Sequence, residues 1–213
     1  MKKFICMMLV FIIGVSLTSC KKEPESNFYE EYPTGDEIIT VEVEKNPEAV
    51  ITLTNDKVIK IELCYDVAPN AVTNFIAFAR EKVYNTMCFS EVRNNCILMT
   101  GYQSHDASAP YYVMDEIQDK NAPVLTHERG VVSMIRTSNS DTLTGQFFIL
   151  TKEQKHFDNT FTAFGKVTEG MDVVDALVGA ENTDGKFNEP VGIKSVKIND
   201  FGVDFPNPTI IKK

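Results

Sequence analysis

The 213-residue sequence predicts a mainly β protein in which short antiparallel strands close into a barrel and two helices cap its ends. Short β-rich segments separated by polar loops fill most of residues 86–167, and the clearest of them cover residues 130–136, 146–151 and 161–167. Helical periodicity marks only two stretches. Many short strands with so few helices favour a closed barrel, because closure leaves no exposed strand edge.

The folded domain is predicted to begin with two strands, at residues 49–54 and 58–63, joined by a turn at residues 55–57. Polar and apolar residues alternate along the second strand. A period of two is typical of a sheet with one face towards water. The pattern therefore predicts a strand, a turn and a strand at the start of the domain.

Apolar residues at helical spacing mark each of the two predicted helices. Pro69 sets the first turn of the first helix. The apolar stripe that follows consists of Val72, Phe75, Ile76 and Ala79. The second helix is predicted at residues 171–178, ending before Gly179. Residues 193–198 are expected to supply the last strand, and residues after about Asp204 a loose tail.

The first 20 residues have the pattern of an export signal. Lys2 and Lys3 precede an apolar run at residues 4–15, which is short for a helix that crosses about 30 Å of hydrocarbon. Small residues then lead to Cys20. This predicts a bacterial lipoprotein signal peptide at residues 1–19 with lipid attached to Cys20, the alternative being a cleaved signal before an incidental cysteine. The protein is expected to be exported and lipid-anchored in the cell envelope, on its periplasmic or surface face.

Residues 21–37 are polar and acidic, contain two prolines and have no periodic apolar face, so residues 20–46 are predicted to form a flexible tether. The domain is placed at residues 47–204 and a C-terminal tail at 205–213. Loss of Lys2 and Lys3 with the signal leaves 19 basic residues against 30 acidic ones, a net charge of −11. Such a surface excludes nucleic acid as a partner and leaves the lipid as the link to the membrane.

Three cysteines, Cys64, Cys88 and Cys96, remain once the signal is removed and Cys20 is lipidated. Three cannot all pair, and their apolar neighbours favour buried thiols over a disulfide framework. The three histidines lack the close spacing of a metal site, so no metal is expected.

Ordered motifs along the chain carry the strongest functional signal. Residues 145–149 read Gly-Gln-Phe-Phe-Ile, residues 164–167 read Phe-Gly-Lys-Val, and residues 170–174 read Gly-Met-Asp-Val-Val. Earlier matching points are Ala68-Pro69, Asn74-Phe75, Glu116 and His127. Together they resemble the cyclophilin family of peptidyl-prolyl isomerases, and the likeness runs from about residue 58 to residue 178.

The resemblance implies a closed eight-stranded antiparallel barrel capped by two α-helices, acting as a monomer on proline-containing polypeptide chains. The implied reaction is rotation about the peptide bond before proline, whose partial double-bond character gives a barrier of roughly 18–20 kcal/mol. No cofactor or metal takes part. In the family an apolar pocket holds the proline ring, and an arginine donates a hydrogen bond to the proline nitrogen.

The sequence departs from the family at that arginine. Where the family reads Phe-His-Arg-Val, residues 89–92 read Phe-Ser-Glu-Val, which places Glu91 at the catalytic position. An ionised carboxylate only accepts hydrogen bonds. Removing a preorganised donor from other enzymes costs roughly 10²–10³ in rate. A severely slowed isomerase is therefore expected.

The family's other site residues are carried over by the same resemblance. Its second glutamine falls at Gln146, a catalytic candidate, and the ring under the proline falls at Phe148. The peptide-binding candidates are Glu91, Cys96, Ile97, Met99, Ile135, Arg136, Phe148, His156, Phe157 and Phe161. The proline slot is thus expected to stay apolar while its shape changes.

Arg93 is a second catalytic candidate, because it offers a partial rescue. In an extended strand Glu91 and Arg93 point to the same face, so the guanidinium could reach towards the site. The alternative is that Arg93 forms an ion pair with Glu91 or another surface acid, worth about 0–1 kcal/mol when exposed.

Two functions are compatible with this reading. The first is a lipid-anchored peptidyl-prolyl isomerase that assists protein folding in the envelope with low turnover. The second is a non-catalytic module that holds proline-containing chains or a partner protein in the same pocket. Gln146 and Phe148 support both, Glu91 and Met99 support the second, and the family resemblance favours the isomerase.

Overall fold

The computed structural model describes residues 28–35, 37–102, 111–118, 125–136 and 142–212. The predicted signal peptide and Cys20 lie outside these residues. The strands of the described part are β1 (Glu48–Leu53), β2 (Val58–Leu63), β3 (Met87–Arg93), β4 (Ile97–Tyr102), β5 (Tyr111–Met114), β6 (Val131–Arg136), β7 (Thr142–Leu150), β8 (Ala163–Glu169), β9 (Asn182–Thr183), β10 (Lys186–Asn199) and β11 (Ile210–Lys212). The α-helices of this part are α1 (Pro69–Arg80) and α2 (Met171–Val178).

Eight of the strands close into a barrel. In order around it lie β7, β4, β3, β10, β1, β2, β8 and β6, and β6 pairs back onto β7. The pairings around the barrel are antiparallel. β5 and β11 extend from β7, and β9 pairs with β10. The predicted closed, eight-stranded, mainly β fold with two helices is therefore confirmed.

Helix α1 begins at Pro69, as predicted, and it is buried on all sides rather than along one stripe. Every residue from 70 to 79 is buried. On the barrel side, the ring of Phe75 lies 5.6 Å from that of Phe147 and 5.5 Å from that of Phe164. Burial of the opposite side shows that α1 is covered by chain segments outside the barrel.

The segment before β1 supplies part of this packing. Phe28, Tyr29 and Tyr32 each place a ring against Tyr111, with centroids 5.5–6.2 Å apart. The described part of residues 20–46 therefore packs on the domain, which differs from the flexible tether that the sequence suggested. Their partner Tyr111 lies far away in the sequence, so these long-range contacts leave no local pattern.

The C-terminal segment is not the loose tail that the sequence suggested. β11 pairs with β5, so that Ile210 lies opposite Val113. The backbone N–H of Thr209 donates to Asn70 Oδ1 (2.9 Å), and Asn70 Nδ2 donates to the Thr209 carbonyl (3.1 Å). Both residues are buried. The folded unit therefore extends beyond residue 204.

Helix α2 covers the predicted residues 171–178 and buries Val174 and Leu177. It follows Gly170, whose φ of +89° and close approach to strand β2 both require glycine: an added Cβ would lie 2.4 Å from the Val58 carbonyl oxygen. Among the described residues, no helix combines the length and apolar character needed to cross a bilayer.

All three domain cysteines are free thiols. Cys88 and Cys96 are buried, which agrees with the prediction, whereas Cys64 is half-buried. Burial raises the pKa of Cys88, and it raises the pKa of Cys64 to about 11. The thiolate form that reacts with oxidants or metals is therefore disfavoured at both positions.

Glu116 holds the N-terminus of α1. Its Oε1 accepts the N–H of Asn70 at 2.7 Å and its Oε2 accepts the N–H of Ala71 at 2.8 Å, which satisfies two of the helix's unpaired donors. Burial raises the pKa of Glu116 to about 7, although these two hydrogen bonds oppose the shift.

This raised pKa predicts that stability falls as the pH increases from about 4.5 to about 7.5. The folded state binds the Glu116 proton more tightly than the unfolded state does, so ionisation favours unfolding. The raised pKa corresponds to a change of at most about 3 kcal/mol in the free energy of unfolding. Screening by water reduces this figure, because the carboxyl is partly exposed. Urea unfolding at several pH values would show the slope in the native protein and its loss in Glu116→Gln. The same pH dependence in both proteins would contradict the assignment.

Candidate functional site

A small group of apolar side chains, the satellite cluster, lies apart from the main core. It consists of buried Cys96, Ile97, Phe148 and Leu150, with Met99, Ile135, Phe157 and Phe161 packed against them and partly exposed. Every member except Leu150 is a peptide-binding candidate from the sequence. Leu150 shares a face of β7 with Phe148, two residues away, so strand alternation would have identified it.

Three neighbouring strands bring the acid, the methionine and the pocket ring into one row. Glu91 on β3 lies directly opposite Met99 on β4, and Met99 lies directly opposite Phe148 on β7. Residues that face each other across antiparallel strands point to the same side of the sheet. The Glu91 carboxylate therefore lies on the face that carries the Phe148 ring, with Met99 between them.

Aromatic rings form the other side of the cluster. The Phe148 ring meets the Phe161 ring nearly edge-on at 5.3 Å and the Phe157 ring at 5.8 Å, and Phe157 and Phe161 are 4.8 Å apart. His156 is exposed, with its ring 4.4 Å from that of Phe157. Because Phe157 and Phe161 are only partly buried, they offer an apolar surface that a ligand can contact.

Arg93 forms the ion pair that was the alternative to a catalytic role. Its Nε lies 2.5 Å from Glu91 Oε1, and the arginine side chain is 59% exposed while the glutamate side chain is 28% exposed. The guanidinium thus faces Glu91 and solvent. A direct catalytic role for Arg93 remains a prediction that this contact disfavours.

Gln146 and Arg136 both have protein partners. The Gln146 side-chain amide donates to the Thr100 carbonyl at 3.2 Å. Arg136 donates through Nη1 to the Thr160 carbonyl at 2.7 Å, and its Nε lies 2.8 Å from the Asp115 carboxylate without hydrogen-bond alignment. The Arg136 side chain therefore braces the loop before β8, and pairing of its backbone with a peptide remains a prediction.

The geometry offers a partly exposed apolar surface, an acid on the same face of the sheet and a half-buried amide. Among the described residues, no group of three or more histidine, cysteine, aspartate or glutamate side chains is placed to hold a metal ion.

Comparison with known proteins identifies the family. Residues 49–198 match the sequence model described as cyclophilin type peptidyl-prolyl cis-trans isomerase/CLD. The chain belongs to the cyclophilin family. A peptidyl-prolyl cis-trans isomerase of Acinetobacter baylyi is 31% identical over 155 residues, which cover 68% of this chain and 79% of that protein.

Two further relatives show how much of this cyclophilin is shared. Peptidyl-prolyl cis-trans isomerase cyp15 of Rhizopus delemar is 27% identical over 84% of this chain, which spans only 29% of that protein. A cyclophilin type isomerase of Cryptosporidium parvum, crystallised in the presence of the dipeptide Ala-Pro, matches the fold with a TM-score of 0.62 at 23% identity, covering 72% of this chain and 99% of that one.

The segments that cover α1 distinguish this cyclophilin from its family pattern. The matched region begins at residue 49 and ends at residue 198. The aromatic residues before β1 and strand β11 both lie outside it. The satellite cluster, by contrast, lies entirely within the matched region.

Proposed function

We propose that this protein is a peptidyl-prolyl isomerase with weakened catalysis that assists the folding of proline-containing chains in the bacterial cell envelope. The row formed by Glu91, Met99 and Phe148 carries the proposal. Adjacent strands are about 4.8 Å apart, so the backbones of Glu91 and Phe148 are separated by roughly 10 Å. That separation suits a prolyl residue whose ring rests on Phe148 while its peptide bond lies towards Glu91.

The apolar part of the pocket favours catalysis. Rotation about the prolyl bond moves the carbonyl group relative to a fixed ring, so a site that holds the ring lowers the barrier if it binds the twisted form more tightly. The partly exposed rings of Phe157 and Phe161, packed against the buried ring of Phe148, supply aromatic surface for that purpose. Residual activity is expected from this binding alone.

The polar part of the pocket opposes catalysis. As the bond twists, the proline nitrogen gains a lone pair that a hydrogen-bond donor would stabilise. Glu91 has no such hydrogen when ionised, and its negative charge is repelled by the lone pair. Arg93 offsets part of that charge through the 2.5 Å contact. The absence of a donor at Glu91 accounts for the expected loss of about 10²–10³ in rate.

Exchange NMR spectroscopy on an Ala-Pro-containing peptide tests the proposed activity. The uncatalysed isomerisation takes tens of seconds or longer, so even weak catalysis broadens or couples the cis and trans resonances. We expect acceleration that is clear at near-stoichiometric protein and small at catalytic amounts. A peptide that is bound to saturation without any acceleration would contradict the isomerase.

That contrary outcome would favour the second candidate, a non-catalytic binding module. The observation that supports it is the Glu91–Arg93 ion pair, because each charge is already partnered by the other. A module of this kind needs the satellite cluster but not a free donor. Binding and exchange measured on the same sample therefore separate the two functions.

The envelope location rests on the pattern around Cys20. Two or three acyl chains on one cysteine would anchor the protein stably, since each buried methylene contributes about 0.8 kcal/mol. Metabolic labelling with a fatty acid is expected to mark the native protein and not Cys20→Ala. An unlabelled native protein found in the soluble fraction would exclude the lipid anchor.

A further inference from the structure

The loop between β7 and β8 carries two rings of the satellite cluster, and one buried imidazole holds it. Phe157 and Phe161 lie on this loop, outside the barrel's hydrogen-bonded ladder. His127 precedes β6 and is 1% exposed. Its carbonyl accepts the N–H of Gln154 at 2.8 Å, and its N–H donates to Asp158 Oδ1 at 2.8 Å. Residue 127 is therefore attached to the loop on either side of Phe157.

The imidazole ring of His127 links that loop to the strand beside Phe148. Nδ1 lies 2.9 Å from Asp158 Oδ1, and Nε2 lies 2.9 Å from the hydroxyl of Ser133. Ser133 on β6 is directly opposite Phe148 on β7. The ring also meets Phe157 edge-on at 5.9 Å. His127 thus touches both the loop that carries the aromatic wall and the strand that supports the pocket floor.

The partners fix the form of the ring. Although desolvation opposes it, hydrogen bonding by His127 lowers the pKa of Asp158, so this carboxylate is an acceptor. Nδ1 must then carry the hydrogen. Burial lowers the pKa of His127, although Asp158 opposes this shift, so the ring is neutral at pH 7 and its Nε2 accepts from Ser133. Neither ring nitrogen is left without a partner.

Ser133, His127 and Asp158 are hydrogen-bonded in the same sequence as the serine, histidine and aspartate of an acyl-transfer triad. Burial of Ser133 excludes that chemistry. The Ser133 side chain shares a sheet face with Phe148 but is 0% exposed, so a substrate carbonyl has no path to its hydroxyl. A nucleophile must reach a reacting atom at about 3 Å. The chain of hydrogen bonds therefore has a positioning role.

We propose that His127 is a positioning residue for the proline pocket: it fixes the wall of Phe157 and Phe161 at a set distance from Phe148. Its effect on ligand affinity rests on the proposed function, whereas its effect on the aromatic rings does not. Loss of either ring hydrogen bond loosens the wall against the floor, while the backbone of residue 127 keeps its two hydrogen bonds to the loop. The aromatic wall then contacts the proline ring less closely, so the affinity for the proline peptide falls. The rate of rotation about the prolyl bond in the bound peptide is unchanged.

Two variants separate the halves of the link. In His127→Asn the side-chain amide takes the place of Nδ1, so it reaches Asp158 but not Ser133. In His127→Gln the amide takes the place of Nε2, so it reaches Ser133 but not Asp158. Each is expected to raise the Kd of a proline peptide about tenfold, which matches the loss of one buried hydrogen bond. The exchange rate at saturating peptide is expected to stay within about twofold of the native value.

The matched control is Arg129→Gln, two residues away. It removes an exposed ion pair with Asp175 and a hydrogen bond to the Thr151 carbonyl, and neither Arg129 nor Asp175 belongs to the satellite cluster. Its Kd is expected to equal that of the native protein. If both His127 variants unfold at lower temperature but keep the native Kd, the role of His127 is structural only and the proposal is wrong.

A measurement without ligand keeps this test independent of the isomerase. The methyl groups of Ile135 and Met99 lie against the aromatic rings, so their proton NMR shifts report ring positions. We expect both shifts to change in His127→Asn and His127→Gln and to stay fixed in Arg129→Gln. Unchanged methyl shifts in the two His127 variants overturn the proposal. Changed shifts in a protein that binds no proline peptide would sustain the positioning role and overturn the proposed function.

Discussion

Glu91→Arg is expected to accelerate catalysed prolyl isomerisation by about 10²–10³-fold. The substitution places a permanent donor on the face of β3 that Phe148 shares across β4. A guanidinium donates to the proline nitrogen as the bond twists, whereas a carboxylate cannot. The expected gain is the reverse of the loss seen when a preorganised donor is removed from other enzymes. Exchange spectroscopy on one proline peptide measures it.

Charge swapping supplies the control for this variant. Glu91→Arg combined with Arg93→Glu keeps an ion pair between these positions and moves the cation to the catalytic place. We expect it to retain most of the gain. Arg93→Ala alone is expected to lower the native rate by at most about threefold, because it removes only the partial offset of the Glu91 charge by an exposed ion pair. A tenfold fall in rate for Arg93→Ala would show that Arg93 acts as the donor.

Phe148→Ala is expected to abolish peptide binding and to lower the free energy of unfolding by about 3–5 kcal/mol. The ring is 2% exposed and contacts both Phe157 and Phe161, so its removal leaves a cavity and loosens the wall. Peptide titration measures the first effect and denaturant unfolding the second.

The two effects of Phe148→Ala are separated by matched variants. Phe148→Leu keeps apolar volume and is expected to retain weak binding. Phe78→Ala removes a fully buried ring from the main core, beside Tyr84 and Tyr111. It is expected to cost similar stability while the folded protein keeps the native Kd. Equal loss of binding in Phe78→Ala would mean that the affinity depends on stability rather than on the pocket.

Local patterns predicted the barrel because its elements are defined by nearby residues. The alternation along β2, the proline at the start of α1 and the helical spacing around Val174 are each visible within one or two turns of chain. Closure of the sheet follows from the number of short strands. These elements needed no knowledge of tertiary contacts.

The described segments on either side of the predicted domain were mispredicted because long-range contacts determine their structure. Ile210 pairs with Val113, and Thr209 bonds to the side chain of Asn70, at sequence separations that no local period reports. In the sequence Tyr32 resembles a polar linker residue, whereas in the structure its ring packs against that of Tyr111. Propensity and composition describe a segment by itself and carry no information about the surface on which it packs.

The candidate site was predicted by resemblance more than by pattern. The family order identified the members of the satellite cluster except Leu150, which lies on the same face as Phe148. The role of Arg93 was open because alternation fixes the face of a side chain and not its rotamer. His127 was expected to be structural, and the bridge between Asp158 and Ser133 appears only when three separate segments are brought together.

The central claim is that the satellite cluster binds a proline ring beside Glu91. Titration of the methyl-labelled protein with an Ala-Pro-containing peptide tests it most directly, because Ile97, Met99 and Ile135 report from within the cluster. We predict saturable shifts at these three methyl groups and none at Ile51 and Ile59 in the main core. Shifts that occur only elsewhere on the surface, or no shifts at millimolar peptide, would contradict the account.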